Sequence, residues 1–466
     1  MKKEFAKRPF IFAITLLCLT VATCKKEAST SRFNADLNLS KSSIKMSPTA
    51  VNKSILCSSN ADSNTKHIND ALSNPNIRSV VLTYNANGWE IGPIIMNVEN
   101  QELVIAGKGS APGRLIASKT PKLFLSPTSR LLRIAAKGCV INGYSDSLIK
   151  AKAILQMFKN DYTNINGYTP SGSRAGIYTV GMSNITIKGI YIKDAGGDGI
   201  YIRGGQKVNI TDVVSDGANR NSISVIKANN LAITNCEFIN TTGDSSTGSP
   251  TGPWAGIDIE PVRATDTIGN ITLSNCKFTN NKGPGILMIW DYYKILGGIS
   301  TPVNIKVINC TVSGGQYGMK IRGMTMDGPA NNGVINFENC QLNNPVLHGI
   351  FIHNWPTGRT RLYFDKCSIY NAGSTPIRFN HTLNDYKGGN LNFKACRVDD
   401  FKASPYILYA SNLSLGSGFQ DVTGLETSEA PALSVKYWNA IPANKTPVRF
   451  IPIATENITL NATIIK

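Results

Sequence analysis

Two carboxylates separated by a single isoleucine are the first residues here that could do chemistry. They are Asp258 and Glu260, in the stretch AGIDIEP. Drawn as a strand, this stretch points Ile257 and Ile259 to one face and both acids to the other, about 6.5 to 7 Å apart. Unneutralised carboxylates so close repel, and so call for a cation, a shared proton or nearby Lys and Arg. Their oxygens suit a hard divalent cation, or could divide acid and base work between them. A third acid, Asp198, stands in GGDGI, and Lys320 and Arg322 alternate about Ile321 in KIR.

These residues must be positioned by a repeat. ITNCEFIN at Ile233 returns as LSNCKFTN at Leu273, VINCTVSG at Val307 and FENCQLNN at Phe337, then without the Asn as FDKCSIYN and FKACRVDD. Each unit continues through a variable loop to a Gly-Ile-x-Ile segment, whose first position falls at Gly176, Gly199, Ser222, Gly256, Gly285, Gly318, Gly349, Pro376 and Pro405. Three short strands per unit, with alternate residues inward, describe one coil of a parallel β-helix, an all-β solenoid whose coils lie about 4.7 to 4.9 Å apart. Asn235, Asn275, Asn309 and Asn339 fall where the chain bends between second and third strands, because Asn tolerates left-handed angles and its amides can bond up the stack. Cys236, Cys276, Cys310, Cys340, Cys367 and Cys396 share one inward place, which predicts a ladder of unpaired thiols; Cys57 and Cys139 stay undecided. Ile68, Ala71 and Leu72 share a helical face suited to capping the open N-terminal end.

In the same register the outward residues are Tyr201 and Arg203, Ser224 and Ile226, Leu287 and Ile289, Lys320 and Arg322, Phe351 and His353, and Arg378 and Asn380. Long loops beside these strands carry Trp254, Trp290, Tyr292, Tyr293, Trp355 and Tyr386. Flat aromatic faces there would wall a groove suited to sugar rings. Arg203, Arg220, Asn221, Trp254, Trp290, His353, Trp355 and Arg378 are the expected substrate contacts, with His348 as groove lining.

Lys2, Lys3, Lys7 and Arg8 precede the apolar run PFIFAITLLCLTVATC, which is too short to span a bilayer as a helix and reads as an export signal over residues 1–24. VATC resembles a bacterial lipoprotein box, so Cys24 is the expected lipidation site, anchoring the protein to the outer membrane or cell surface. Residues 25–63, rich in Ser, Asn and Lys, are the expected tether, followed by the solenoid over 64–415 and a C-terminal capping segment over 416–466. The net charge of +18 becomes +15 without the signal, which removes four cations and Glu4. A basic exported protein suits an acidic polysaccharide, with a monomer expected and no nucleic-acid motif present. No HExxH, GxSxG, P-loop or CxxC pattern supports zinc protease, serine hydrolase or nucleotide chemistry.

Over roughly residues 64–415 the chain resembles the pectate-lyase-like superfamily of right-handed parallel β-helices. The resemblance implies cleavage of a uronate-containing polysaccharide by β-elimination, with Ca2+ held by Asp258 and Glu260 and with Lys320 or Arg322 as base. A second implication is glycoside hydrolysis by Asp198, Asp258 and Glu260. Polygalacturonases of this fold carry NTDGI, DD, GHG and RIK on consecutive coils. Here GGDGI keeps Asp198, but Arg220-Asn221 replaces the acid pair, Ala255 stands at the His place and KIR reverses the last motif. A non-catalytic glycan-binding or adhesion role remains the third alternative.

Overall fold

The computed structural model describes residues 43–400, apart from 125, 127, 145–149, 164–167, 169–171, 244–251, 264, 291–301, 323–332, 354–360, 381–390 and 395. Beyond these it describes the strands Leu408–Leu413, Leu433–Tyr437, Val448–Pro452 and Ala462–Ile465. The chain winds into a right-handed parallel β-helix, as the repeat predicts. One coil consists of Ile257–Ile259, Ile268–Ser274 and Lys277–Thr279, and the next of Pro284–Ile289, Asn304–Ile308 and Thr311–Ser313. Each strand pairs in parallel with its counterpart one coil on, for example Ile257 with Ile286, Ile271 with Ile305 and Phe278 with Val312. First and second strands belong to one sheet because Ile200–Thr211 and Ile223–Thr234 run through the corner unbroken, while the third strands form a separate sheet.

The corner between second and third strands is built as the Asn positions require. Asn235, Asn275, Asn309 and Asn339 have φ of 55°, 54°, 53° and 51°, a left-handed conformation costly for most L-residues. Their amides also link coils: Asn309 Nδ2 donates to Asn275 Oδ1 at 3.4 Å and Asn339 Nδ2 to Asn309 Oδ1 at 3.3 Å. The next residue turns inward at a narrow point, and there the six thiols stack, all buried and all free. Each finds a carbonyl of the coil before it, as Cys340 Sγ does with Val307 O at 3.4 Å. Cys57 and Cys139 are free as well, and burial pushes the Cys139 thiol up to about 12.

Both ends depart from the expected boundaries. Val51–Ile55 already pairs in parallel with Ile77–Leu82, so strand structure begins inside the segment expected to be a tether. The capping helix Ala61–Leu72 follows, its Asn60 side chain accepting from Ser63 N and its Ile68, Ala71 and Leu72 buried on the first coils. At the far end Leu433–Tyr437 pairs with Cys396–Asp400 and Val448–Pro452 with Leu408–Leu413. Residues 416–466 therefore contribute strands to the stack rather than only capping it.

Candidate functional site

The first strands put one continuous row of side chains on the outer face. Strand register aligns Arg133, Tyr178, Tyr201, Ser224, Asp258, Leu287, Lys320, Phe351 and Arg378, one per coil. Their neighbours in sequence, Ile257, Ile259, Ile286, Met288, Ile350 and Ile352, turn into the core. A second outward row runs Ile289, Arg322, His353 and Asn380. The expected alternation holds over these coils and slips at one place. Arg203 aligns with Lys227 because the register shifts after Ile202, leaving Ile226 outside the pairing.

Asp258 lies on this outward row, yet it is only 1% exposed and does not open into a trough. The cause is Asn221, whose Nδ2 donates to Asp258 Oδ2 at 3.0 Å while its backbone N–H donates to Asp198 Oδ1 at 3.2 Å. Asn221 Oδ1 accepts in turn from Ala255 N at 2.8 Å, so the residue standing where an acid pair was lost ties the two remaining acids together. Asp198 is also buried, 3% exposed, and Arg220 Nη1 meets its Oδ2 at 3.4 Å. The fields of Asp198, then of Asp258 and Glu260, raise the Arg220 guanidinium above its ordinary pKa although burial opposes them. Arg220 thus sets one positive charge of the chain's own among these carboxylates.

That arrangement does not fit calcium. Ca2+ takes six to eight oxygen ligands, whereas here a guanidinium stands among the acids and an amide occupies an oxygen of Asp258. Among the described residues no group of three or more His, Cys, Asp or Glu is placed to hold a metal.

Two further expectations change. Trp290 is fully buried within the core cluster and offers no face to a ligand. Arg203 is committed to a buried ion pair, its Nη2 3.2 Å from Asp266 Oδ2, a partner that sequence spacing did not suggest. Trp254 is half-buried, held at φ 50°, with the Lys282 ammonium 4.3 Å over its ring. Trp355, Tyr292, Tyr293, Tyr386 and Cys24 lie outside the described residues.

Further along the face a cationic and aromatic cluster forms. Lys320 stands 4.9 Å over the Tyr317 ring and 5.7 Å from that of Phe351, the two rings stack at 5.3 Å, and Arg378 approaches Phe351 at 5.9 Å. His353 lies half-buried beside them. Burial, then the charges of Arg322, Lys320 and Arg378, push its imidazole down to about 4, so it is neutral at ordinary pH. His348 is held the same way: burial pushes it to about 4, against the bond from its Nδ1 to Thr375 O at 2.7 Å. Tyr317, which opens its strand just before the Gly-Met-Lys-Ile segment, was missed by sequence reasoning, and Phe351 was legible only as an outward position and His348 only as groove lining.

A family model described as a right handed beta helix region matches residues 136–297. No curated protein is matched by the chain. Among solved structures it is similar to the Dettilon tailspike protein, at 11% identity over 82% of this chain and 68% of that one, with a TM-score of 0.50. It is also similar to an exopolygalacturonase of Thermotoga maritima, at 12% identity, 87% and 90% coverage and a TM-score of 0.41. A third is the catalytic unit of an alpha-1,3-glucanase of Streptomyces thermodiastaticus, at 14% identity, 84% and 64% coverage and a TM-score of 0.46. At such identities the likeness is one of fold.

Proposed function

We propose that this right-handed parallel β-helix, of the pectate-lyase-like kind, cleaves an acidic, uronate-containing polysaccharide by β-elimination, with the chain's own cations in the role expected of calcium. One observation carries the reading: Lys320, Arg322 and Arg378 converge on a neutral histidine, His353, on the same outward face. β-Elimination needs the sugar carboxylate neutralised, the adjacent ring proton removed and the leaving oxygen protonated. Lys320, Arg322 and Arg378 supply the first by charge and hydrogen bonding. The unprotonated imidazole of His353 takes the ring proton, the carbon–carbon double bond forms, and the glycosidic carbon–oxygen bond breaks with a proton delivered from the Tyr317 phenol. Substrate binding strengthens the base in part: burial remains the larger cause of its weakness, and a carboxylate seated among the cations offsets the field of Arg322, Lys320 and Arg378 that adds to it. Lys320 and Arg322, expected as bases, become carboxylate partners in this reading, since the Tyr317 and Phe351 rings favour the charged ammonium.

The same proposal places the protein outside the cytoplasm, lipid-anchored at Cys24 as a monomer. Hydrolysis by Asp198, Asp258 and Glu260 is the second reading, favoured by the way Asn221 joins two of these acids. Digestion of uronate and neutral polysaccharides separates the possibilities. Elimination yields unsaturated products that absorb in the ultraviolet, hydrolysis yields reducing ends without absorbance, and binding without products would mean an adhesion module. His353→Gln should lower elimination by about 10²–10⁴-fold with the fold intact, and EDTA should leave the wild-type rate unchanged. Full activity in His353→Gln would remove the proposed base.

A further inference from the structure

We infer that the same outward face carries a second anion-recognising subsite at its N-terminal end, which takes one negatively charged sugar unit of a polymer laid along the helix axis. The inference rests on the proposed substrate class and adds to it that the polymer is gripped on both sides of the Asp198, Asp258 and Arg220 cluster.

Tyr178 and Tyr201, on successive coils, stack at 5.1 Å with their planes 12° apart. The Arg130 guanidinium caps this stack, 4.4 Å over the Tyr178 ring. Arg133 aligns with Tyr178 one coil earlier on the same row. Beside them opens a groove of about 160 Å³ whose lining includes Ile95, Thr128, Ser129, Arg130, Arg133 and Tyr178.

Each component has a use toward an anionic sugar. Ile95, 39% exposed, offers apolar surface to the carbon-bound hydrogens of a sugar ring, while the buried Tyr178 ring, held between Tyr201 and Arg130, fixes the position of the guanidinium above it. The hydroxyls of Thr128 and Ser129 can exchange hydrogen bonds with sugar hydroxyls. Arg133 brings a planar fork of donors suited to a carboxylate, and no carboxylate among the described residues is ion-paired with it. The composition repeats that of the C-terminal cluster, where Lys320 and Arg378 flank Phe351 and Tyr317. From Arg133 to Asp258 the row advances four coils, about 19 Å at normal strand spacing. A disaccharide cannot occupy both ends, whereas a longer chain can.

The test is calorimetric titration of the full-length protein and of its Arg133→Gln, Arg133→Lys and Lys320→Gln variants. The probes are a digalacturonate, a long oligogalacturonate and a long carboxyl-reduced oligomer. The expected result is that Arg133→Gln weakens the long acidic oligomer about tenfold while leaving the digalacturonate and the neutral oligomer unaffected, and that Arg133→Lys recovers part of the loss. If Arg133→Gln binds the long acidic oligomer like wild type while Lys320→Gln does not, the second subsite is wrong and the functional reading stands. If the neutral oligomer binds as tightly as the acidic one to every form, the acidic-polysaccharide reading falls and takes the subsite with it.

Discussion

Acidifying the protein from about pH 7 to about pH 4.5 should destabilise it through His348 by a calculable amount. This residue is 4% exposed, and its Nδ1 meets Thr375 O at 2.7 Å while its Nε2 faces Arg378 Nη1 at 3.5 Å. A carbonyl can only accept, so Nδ1 carries the proton and Nε2 is the acceptor for Arg378. Protonating Nε2 would set two cationic donors against each other in a buried place. The folded pKa, about 4, accordingly lies below the ordinary 6.5. Between those values the unfolded chain binds more protons than the folded one, so stability is complete above the unfolded pKa and declines as pH falls toward the folded one. Over the stated interval the loss is about 2 kcal/mol for this side chain. Urea unfolding of wild type and His348→Gln at several pH values measures it, because glutamine can still donate to Thr375 O but cannot titrate. Wild type should lose about 2 kcal/mol more than the variant on acidification. Parallel stability curves for the two proteins would refute the neutral, buried imidazole and weaken the same argument for His353.

Arg220→Met should destabilise the fold by roughly 3–5 kcal/mol, since it leaves Asp198 buried without its cation; the deficit should shrink at lower pH, and adding Asp198→Asn should recover part of it in urea melts. Equal stability of Arg220→Met and wild type would mean that the acids are balanced elsewhere. Asn309→Ala should cost about 1–3 kcal/mol, through its left-handed φ and two amide bonds to neighbouring coils; Asn309→Gly should cost less because it relieves the backbone and loses only the amides.

What sequence made legible was periodic, and what it hid was not. Alternation of apolar residues and the recurrence of Asn-Cys are enforced on every coil, so a stack with left-handed Asn corners and inward thiols could be read without coordinates. The row Asp258, Lys320, Phe351 and Arg378 followed from the same period. Three features escaped because each occurs once. The slip at Ile226 adds one residue to a single strand and moves Arg203 beside Lys227. Trp290 closes its strand by folding into the core rather than onto the loop. Arg220 and Asn221 looked like the loss of an acid pair, whereas in space Arg220 pairs with Asp198 and Asn221 bridges Asp198 to Asp258.

The outward face also obeys a spacing rule that bears on what it can bind. Adjacent coils stand about 4.8 Å apart, where two like charges at an effective dielectric of about 20 repel by about 3.5 kcal/mol, against about 1.7 kcal/mol two coils apart. Along the first row Phe351 separates Lys320 from Arg378, and Tyr178 and Tyr201 follow Arg133. Along the second row Arg322 is followed by His353, which is held neutral. The adjacent cations Arg203 and Lys227 are reconciled by Asp266, buried against Arg203. Interleaving cations with rings keeps a positive face tolerable in the free protein and gives Arg133, Lys320, Arg322 and Arg378 each an aromatic neighbour. A protonated His353 would break the rule by placing a charge one coil from Arg322, a repulsion that adds to burial in holding the imidazole neutral.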